Sequence, residues 1–334
     1  DYVSLHKETI DVFRPALKPL LYDESTINGE IRFEQVDTYG GVHLLYKRGL
    51  SGDGLKRTRI TAPGEGLIVM PAWSPDGAHI VYRAILSQDR GEIRISDRAG
   101  NQTRVLAAEP ATRDPISWAP DSRRIAFANN STGDMNIHIL DTTTGESTQL
   151  TNDPGMDRSP SWSADGSAVY FSSNRSGRDD IWSIGVETGR LDRVTNGGGC
   201  LFPAASPVGR QISWIVPGRG VAVHDIESGR TVVFDDPREV RFAPAWSPDG
   251  EFLAVTATDW GGSDVYLLGV RSGASLLLTK YASGDGMPSW ETSNDEMVFV
   301  TNDDEDYGIW MLTGVEAYLD RLRTPQEWWT IPAE

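Results

Sequence analysis

The chain has 334 residues, with 31 Lys and Arg against 48 Asp and Glu and a formal net charge of −17 at neutral pH. So acidic a chain repels phosphate backbones and attracts cations or basic partners, so nucleic acid is not an expected ligand. Its one cysteine, Cys200, excludes an intramolecular disulfide and a thiolate metal cluster, and no run of about 18 apolar residues is present to insert into a bilayer as a helix.

The first 62 residues are irregular. Residues 1–20 read as a closing strand, with Val3 to Phe13 as its core, and residues 21–62 as a degenerate blade with short strands at Ile31-Arg32-Phe33, Val42–Tyr46 and Arg57–Thr61. From there a repeat takes over. Pro71-Ala72-Trp73-Ser74-Pro75-Asp76-Gly77 recurs as Pro160-Ser161-Trp162-Ser163-Ala164-Asp165-Gly166 and Pro244-Ala245-Trp246-Ser247-Pro248-Asp249-Gly250. Weaker copies centre on Trp118, Ala205 and Trp290.

Successive anchors Trp73, Trp118, Trp162, Ala205, Trp246 and Trp290 lie 45, 44, 43, 41 and 44 residues apart, the period of a four-stranded propeller blade. Each anchor is followed by β-branched and aromatic runs, such as Ile80-Val81-Tyr82 and then Ile93-Arg94-Ile95, and by a polar fourth run such as Ser147–Thr151. Residues 66–314 therefore hold six clear repeats. Residues 315–334 read as a short helix and a tail that carries Trp328-Trp329.

These elements predict a single all-β domain over residues 1–334, a β-propeller of four-stranded antiparallel blades closed by pairing of the chain termini. Seven blades is the expected count. Six is the alternative, in which the N-terminal strands finish the last sheet instead of making a blade of their own. Trp73, Trp118, Trp162, Trp246 and Trp290 are expected to fill the space between blades. The aspartates of the repeat, Asp76, Asp121, Asp165 and Asp249, are read as turn residues and not as catalytic carboxylates, because Ser-Pro-Asp-Gly is turn chemistry.

The Pro-x-Trp-Ser-Pro-Asp-Gly anchors, together with Ser173-Asn174-Arg175-Ser176-Gly177-Arg178-Asp179-Asp180-Ile181-Trp182 and a closing Leu/Val-Thr, resemble the TolB-like β-propeller repeat. The resemblance covers residues 69 to about 312 and weakens over 203–235, where Ala205 replaces the Trp. It implies a propeller of a kind found in a periplasmic component, in the propellers of prolyl-oligopeptidase-type peptidases and in many exported bacterial proteins. An extracytoplasmic location is therefore expected, periplasmic or secreted, or as the extracellular part of a membrane-anchored protein. A first residue that is Asp and not Met fits a processed segment.

No Gly-x-Ser-x-Gly elbow and no phosphate-binding glycine motif is present, and the five histidines are not spaced as a metal cluster. No cofactor is expected. A divalent cation is the alternative reading of Asp303-Asp304-Glu305-Asp306, which otherwise makes a solvated hairpin tip. Ligands of propellers meet the loops around the central channel, which here carry Arg113, Asp114, Asp157, Arg158, Arg241, Phe242 and Asp285. The expected function is non-catalytic binding of a protein, a peptide or an oligosaccharide there. The alternative is a carbohydrate-active lyase or hydrolase that uses the channel.

Overall fold

The computed structural model describes residues 31–36, 42–46 and 55–323, apart from 131–132, 237, 260–261, 280–283 and 302–306. Two compact units separate at residue 55. Within the first, Ile31–Val36 pairs antiparallel with Val42–Tyr46. The second unit contains the six repeats, which form six four-stranded antiparallel sheets.

Blade 1 runs from Leu67 to Glu109, blade 2 from Ile116 to Gln149, blade 3 from Asp157 to Arg193, blade 4 from Leu201 to Asp235 and blade 5 from Glu239 to Leu277. Blade 6 takes three strands from the C-terminal side, Asp285–Trp290, Glu296–Thr301 and Gly308–Thr313. Its outer strand, Lys56–Arg59, comes from the N-terminal side of the chain.

The propeller thus has six blades, not the expected seven. The reason lies in how each blade ends. In blades 2, 3 and 5 the outer strand is followed by an apolar residue and a threonine, whose Oγ1 accepts the N–H of the third strand: Thr151 from Ile137, Thr195 from Ile181 and Thr279 from Val265. Thr61 Oγ1 accepts from Ile309 in the same way, and the Ile60 amide donates to the Ile309 carbonyl. Arg57–Thr61 is therefore the end of blade 6 and not of a blade of its own. It also fills the slot expected of Val3 to Phe13, a stretch outside the described residues.

The core lies between blades. One cluster joins Val81, Ile93 and Ile95 of blade 1 to Ile116, Trp118, Ile125 and Phe127 of blade 2, and others repeat this around the ring. All five anchor tryptophans are buried.

Each anchor also bonds the preceding blade, in one of two ways set by the residue just before that blade's own anchor position. Where that residue is Ser, its Oγ accepts the anchor's backbone N–H: Ser289 from Trp73, Ser117 from Trp162 and Ser161 from Ala205. Where it is Ala, its carbonyl accepts the indole N–H: Ala72 from Trp118, Ala204 from Trp246 and Ala245 from Trp290. In the serine mode the indole nitrogens of Trp73 and Trp162 are left without a partner.

Ala205 is tolerated in blade 4 because its junction uses the serine mode, which needs no indole. Trp214 supplies bulk nearby, at the register position held by Tyr82, Phe127, Phe171 and Phe299 in other blades.

The repeated turns behave as the sequence predicts. In blade 1, Asp76 Oδ1 accepts from the Ser74 hydroxyl at 2.6 Å and the Ala78 amide at 3.0 Å, while Gly77 takes φ of 67°. Asp165 and Asp249 make the equivalent bonds, and Asp121 accepts the Arg123 and Arg124 amides. The helix Glu316–Arg323 follows the last strand and rests on the third strand of blade 5.

Two predictions follow from the junctions. Ser161→Ala is expected to destabilise by about 1–2 kcal/mol, because Ala205 has no indole with which to switch modes; Ser117→Ala should cost less, since Trp162 has one. Urea denaturation of both variants compares them. Thr61→Val leaves the buried Ile309 amide without its acceptor and should cost about 1–3 kcal/mol, with Thr61→Ser recovering most of that.

Candidate functional site

The inner strand of each blade is a sheet edge that faces the axis, and an edge tolerates proline because the missing N–H would have had no strand partner. Pro71, Pro115, Pro160, Pro203, Pro244 and Pro288 all line an axial cavity of about 250 Å³. Five inner strands carry an irregularity in register at this point. There Met70, Ser159, Phe202, Phe242 and Met287 adopt φ of 53–62°, left-handed conformations that side chains with a Cβ seldom take.

Hydrogen bonds hold several of these bulges. The Phe202 amide donates to Ser172 Oγ, the Met287 amide to Thr256 Oγ1 and the Met70 amide to Met287 Sδ, each across a blade junction. The consequence is a cavity whose largest side chains are apolar: Met70, Ile116, Phe242 and Met287, with Trp246 and Trp290.

Just before each bulge, at the border of the cavity lining, register aligns one position of five inner strands. Val69, Arg158, Leu201, Arg241 and Gly286 occupy one equivalent position, paired with Arg83, Ser172, Ile215, Thr256 and Val300. Arg158 lies 3.5 Å from Asp179 and Arg241 lies 2.7 Å from Glu239, both partly exposed. Asp114 receives a 3.3 Å bond from Ser159 Oγ, and its carbonyl accepts Arg83 Nε at 2.8 Å. Arg83 is fully buried in an ion pair with Glu109, and burial pushes its pKa down to about 10 against the opposing charge of Asp114. Arg113 is exposed.

Of the residues singled out in sequence, then, Phe242 lines the cavity, and Asp114 in a loop and Arg158 and Arg241 on inner strands lie close to it. Asp157 and Asp285 do not open on the channel. One residue before the border position, strand alternation turns them into the blade, where they are 0% and 1% exposed.

The two buried carboxylates have different surroundings. Asp157 accepts the Ser173 hydroxyl at 2.6 Å and an Arg175 N–H at 2.7 Å. Arg175, which stands in the Ser173–Trp182 motif but is given no role by it, also reaches Asp153 at 2.7 Å and packs over Phe171 and Trp182. Among the described residues no hydrogen bond of normal geometry reaches either carboxylate oxygen of Asp285; burial raises its pKa to about 7, the Thr301 and Thr279 hydroxyls oppose the rise and the Asp264 charge adds to it.

Asp180 is a buried hub: it accepts from Arg193, Thr195, Ser176 and the Gly198 amide. Among the described residues no group of three or more His, Cys, Asp or Glu is placed to hold a metal ion. Residues 303–306, read as a hairpin tip or cation site, lie outside the described residues.

The sequence model of the TolB β-propeller domain matches residues 50–217 and 198–327. The chain belongs to this family. A sequence relative, the Tol-Pal system protein TolB of Gluconobacter oxydans (strain 621H), is 32% identical over 82 residues, which are 24% of this chain and 18% of that protein. Among solved structures, TolB from Acinetobacter baumannii superposes with a TM-score of 0.62 at 23% identity, over 68% of this chain and 57% of that one. An oligogalacturonate lyase from Vibrio parahaemolyticus gives a TM-score of 0.54 at 11% identity, over 87% of this chain and 99% of its own.

These structural likenesses show the fold. The matched regions span under two thirds of both TolB chains. No described helix is long and apolar enough to cross a membrane.

The Asp157–Arg175 pair carries a direct prediction. Arg175→Ala should destabilise by about 3–5 kcal/mol by stranding a buried charge, and Asp157→Asn in that background should recover part of the loss. Denaturant titration of the two single variants and the double variant measures it.

Proposed function

We propose that this propeller is a non-catalytic protein-binding module that works outside the cytoplasm. It takes an extended segment or exposed loop of a partner at the mouth of the axial cavity. The observation that carries this reading is the pairing of an axial cavity whose largest side chains are apolar, Met70, Ile116, Phe242 and Met287 among them, with charged residues of both signs close to it, Asp114 in a loop and Arg158 and Arg241 on inner strands. An apolar side chain of the partner enters the cavity, and flanking charges meet Asp114, Arg158 and Arg241. Membership of the TolB propeller family and the likeness to a Tol-Pal system protein support a protein ligand. A sugar would need more hydrogen-bonding side chains than this lining offers.

Selection of a random peptide library on the immobilised chain, followed by calorimetry, tests the reading. Selected peptides are expected to place an apolar residue between charged ones. They should lose affinity about tenfold or more, ~1.4 kcal/mol, both with Ala243→Trp, which fills the cavity, and with the Arg158→Ala and Arg241→Ala double variant. Peptides that bind parent and variants alike would place the ligand elsewhere. Calorimetry that finds oligogalacturonides bound at the cavity, with or without Mn²⁺, and no peptide would replace this reading with a carbohydrate-directed one.

A further inference from the structure

The ring contains the same buried feature twice, built with different charges. At the junction of blades 2 and 3, the first residue of the third strand of blade 2 is the amide Asn136, and the first residue of the inner strand of blade 3 is Asp157. The Asp157 charge is met by Arg175. At the junction of blades 5 and 6, the corresponding pair is Asp264, in the third strand of blade 5, and Asp285. Two carboxylates stand where the other junction has one.

The guanidinium has no counterpart in the sequence either. Arg175 stands two residues after Ser173, the strand partner of Asp157; two residues after Thr301, the partner of Asp285, stands Asp303, outside the described residues. Among the described residues, the groups that act on Asp285 are the hydroxyls of Thr301 and Thr279, the Asp264 carboxylate on blade 5 and the Arg57 guanidinium on the outer strand of blade 6. Arg57 is placed over the Trp310 ring.

Bulk water barely reaches the group: Asp285 is 1% exposed. A charged carboxylate at this seam would have to be left unsolvated or would have to part the blades.

We propose that the junction of blades 5 and 6 is a proton-gated seam: Asp285 is seated there as the neutral acid, and its ionisation loosens the Gly286–Met287 segment that borders the axial cavity. Met287 is the link. Its amide donates to Thr256 of blade 5, its sulfur accepts the Met70 amide of blade 1, and its side chain lines the cavity.

The direction of the pH effect follows from proton counting. An acid whose pKa rises from 3.8 to about 7 on folding binds more proton in the folded state between those values. Its contribution to stability is therefore complete below about pH 4, falls through the interval and is gone above about pH 7. The largest effect such a shift allows is roughly 1,000-fold in the folding equilibrium constant. The consequence for ligand affinity rests on the axial-mouth reading above; the titration itself does not.

The test uses the whole chain. The ¹³C shift of the Asp285 carboxyl is followed against pH, and hydrogen exchange of residues 286–289 is compared at about pH 5.5 and pH 8 after correction for intrinsic rates. A midpoint near 7 is expected, with protection of 286–289 falling at least tenfold at the higher pH. In Asp285→Asn that fall should vanish, and the variant's gain in melting temperature over the parent should be larger at pH 8 than at pH 5.5. Should Asp285→Asn fail to fold, Asp264→Asn serves in its place and is expected to move the Asp285 midpoint towards acid. A midpoint below about 5, or protection equal at the two pH values, overturns the proposal. Peptide affinity that stays constant while the seam loosens would count against the axial-mouth reading and leave the seam standing.

Discussion

Each blade of this ring is bonded to the preceding one by a hydrogen bond from the start of its anchor motif, and the rest of the structure depends on that contact. A sheet of four short strands buries little surface alone, so a blade is stable only against its neighbours. The bond fixes how two inner strands sit relative to each other, and so sets both the packing of the core between blades and the width of the axial cavity. Two chemistries do the same task, a serine hydroxyl taking a backbone amide or an alanine carbonyl taking an indole N–H. This is why the motif survives loss of its most conspicuous residue in blade 4: with Ser161 before it, Ala205 needs only its amide.

Closure follows the same logic on a larger scale. Blade 6 is assembled from both sides of the chain, with Lys56–Arg59 joining three strands from the other end. That seam is locked by Thr61, whose hydroxyl makes the bond that Thr151, Thr195 and Thr279 make within continuous blades. The ring is therefore sealed with the same part that finishes ordinary blades, and opening it requires breaking a strand pairing and a buried side-chain bond together.

Much of this was legible in the sequence, for reasons that can be stated residue by residue. The anchor period and the turn chemistry of Asp76, Asp165 and Asp249 are local, and local signals survive into the structure. The blade count went one too high because residues 21–62 read as a degenerate blade beside the six that the anchors mark. Reckoned from the closing apolar-Thr pairs, Ile60-Thr61 sits beside Leu150-Thr151, Val194-Thr195 and Leu278-Thr279 as the end of a blade whose beginning lies at the far end of the chain. The candidate site was only half legible. Arg158 and Asp157 are neighbours in sequence, but strand alternation leaves one partly exposed and buries the other, and a bulge two residues on hides which is which. Arg175 was missed because its partner lies 18 residues away across a hairpin.

Those buried aspartates show how a repeat can diverge without losing its fold. Once a junction is held by its anchor bond and its apolar layer, the polar group at the top of the seam is free to vary in charge. Blade 3 fills the position with a carboxylate bonded to its own arginine, and blade 6 keeps a carboxylate that, among the described residues, no guanidinium is hydrogen-bonded to. Removing the counter-charge is costly only while the acid is ionised, and a proton reduces that cost where no ion pair exists. The same fold thus contains one junction whose buried carboxylate is held by its own guanidinium and, on the proposal above, one that is sensitive to a proton. The sensitive one lies beside Met287, which joins three blades and lines the cavity. Variation that the stability of the ring can absorb has fallen at the place where it bears most directly on the axis.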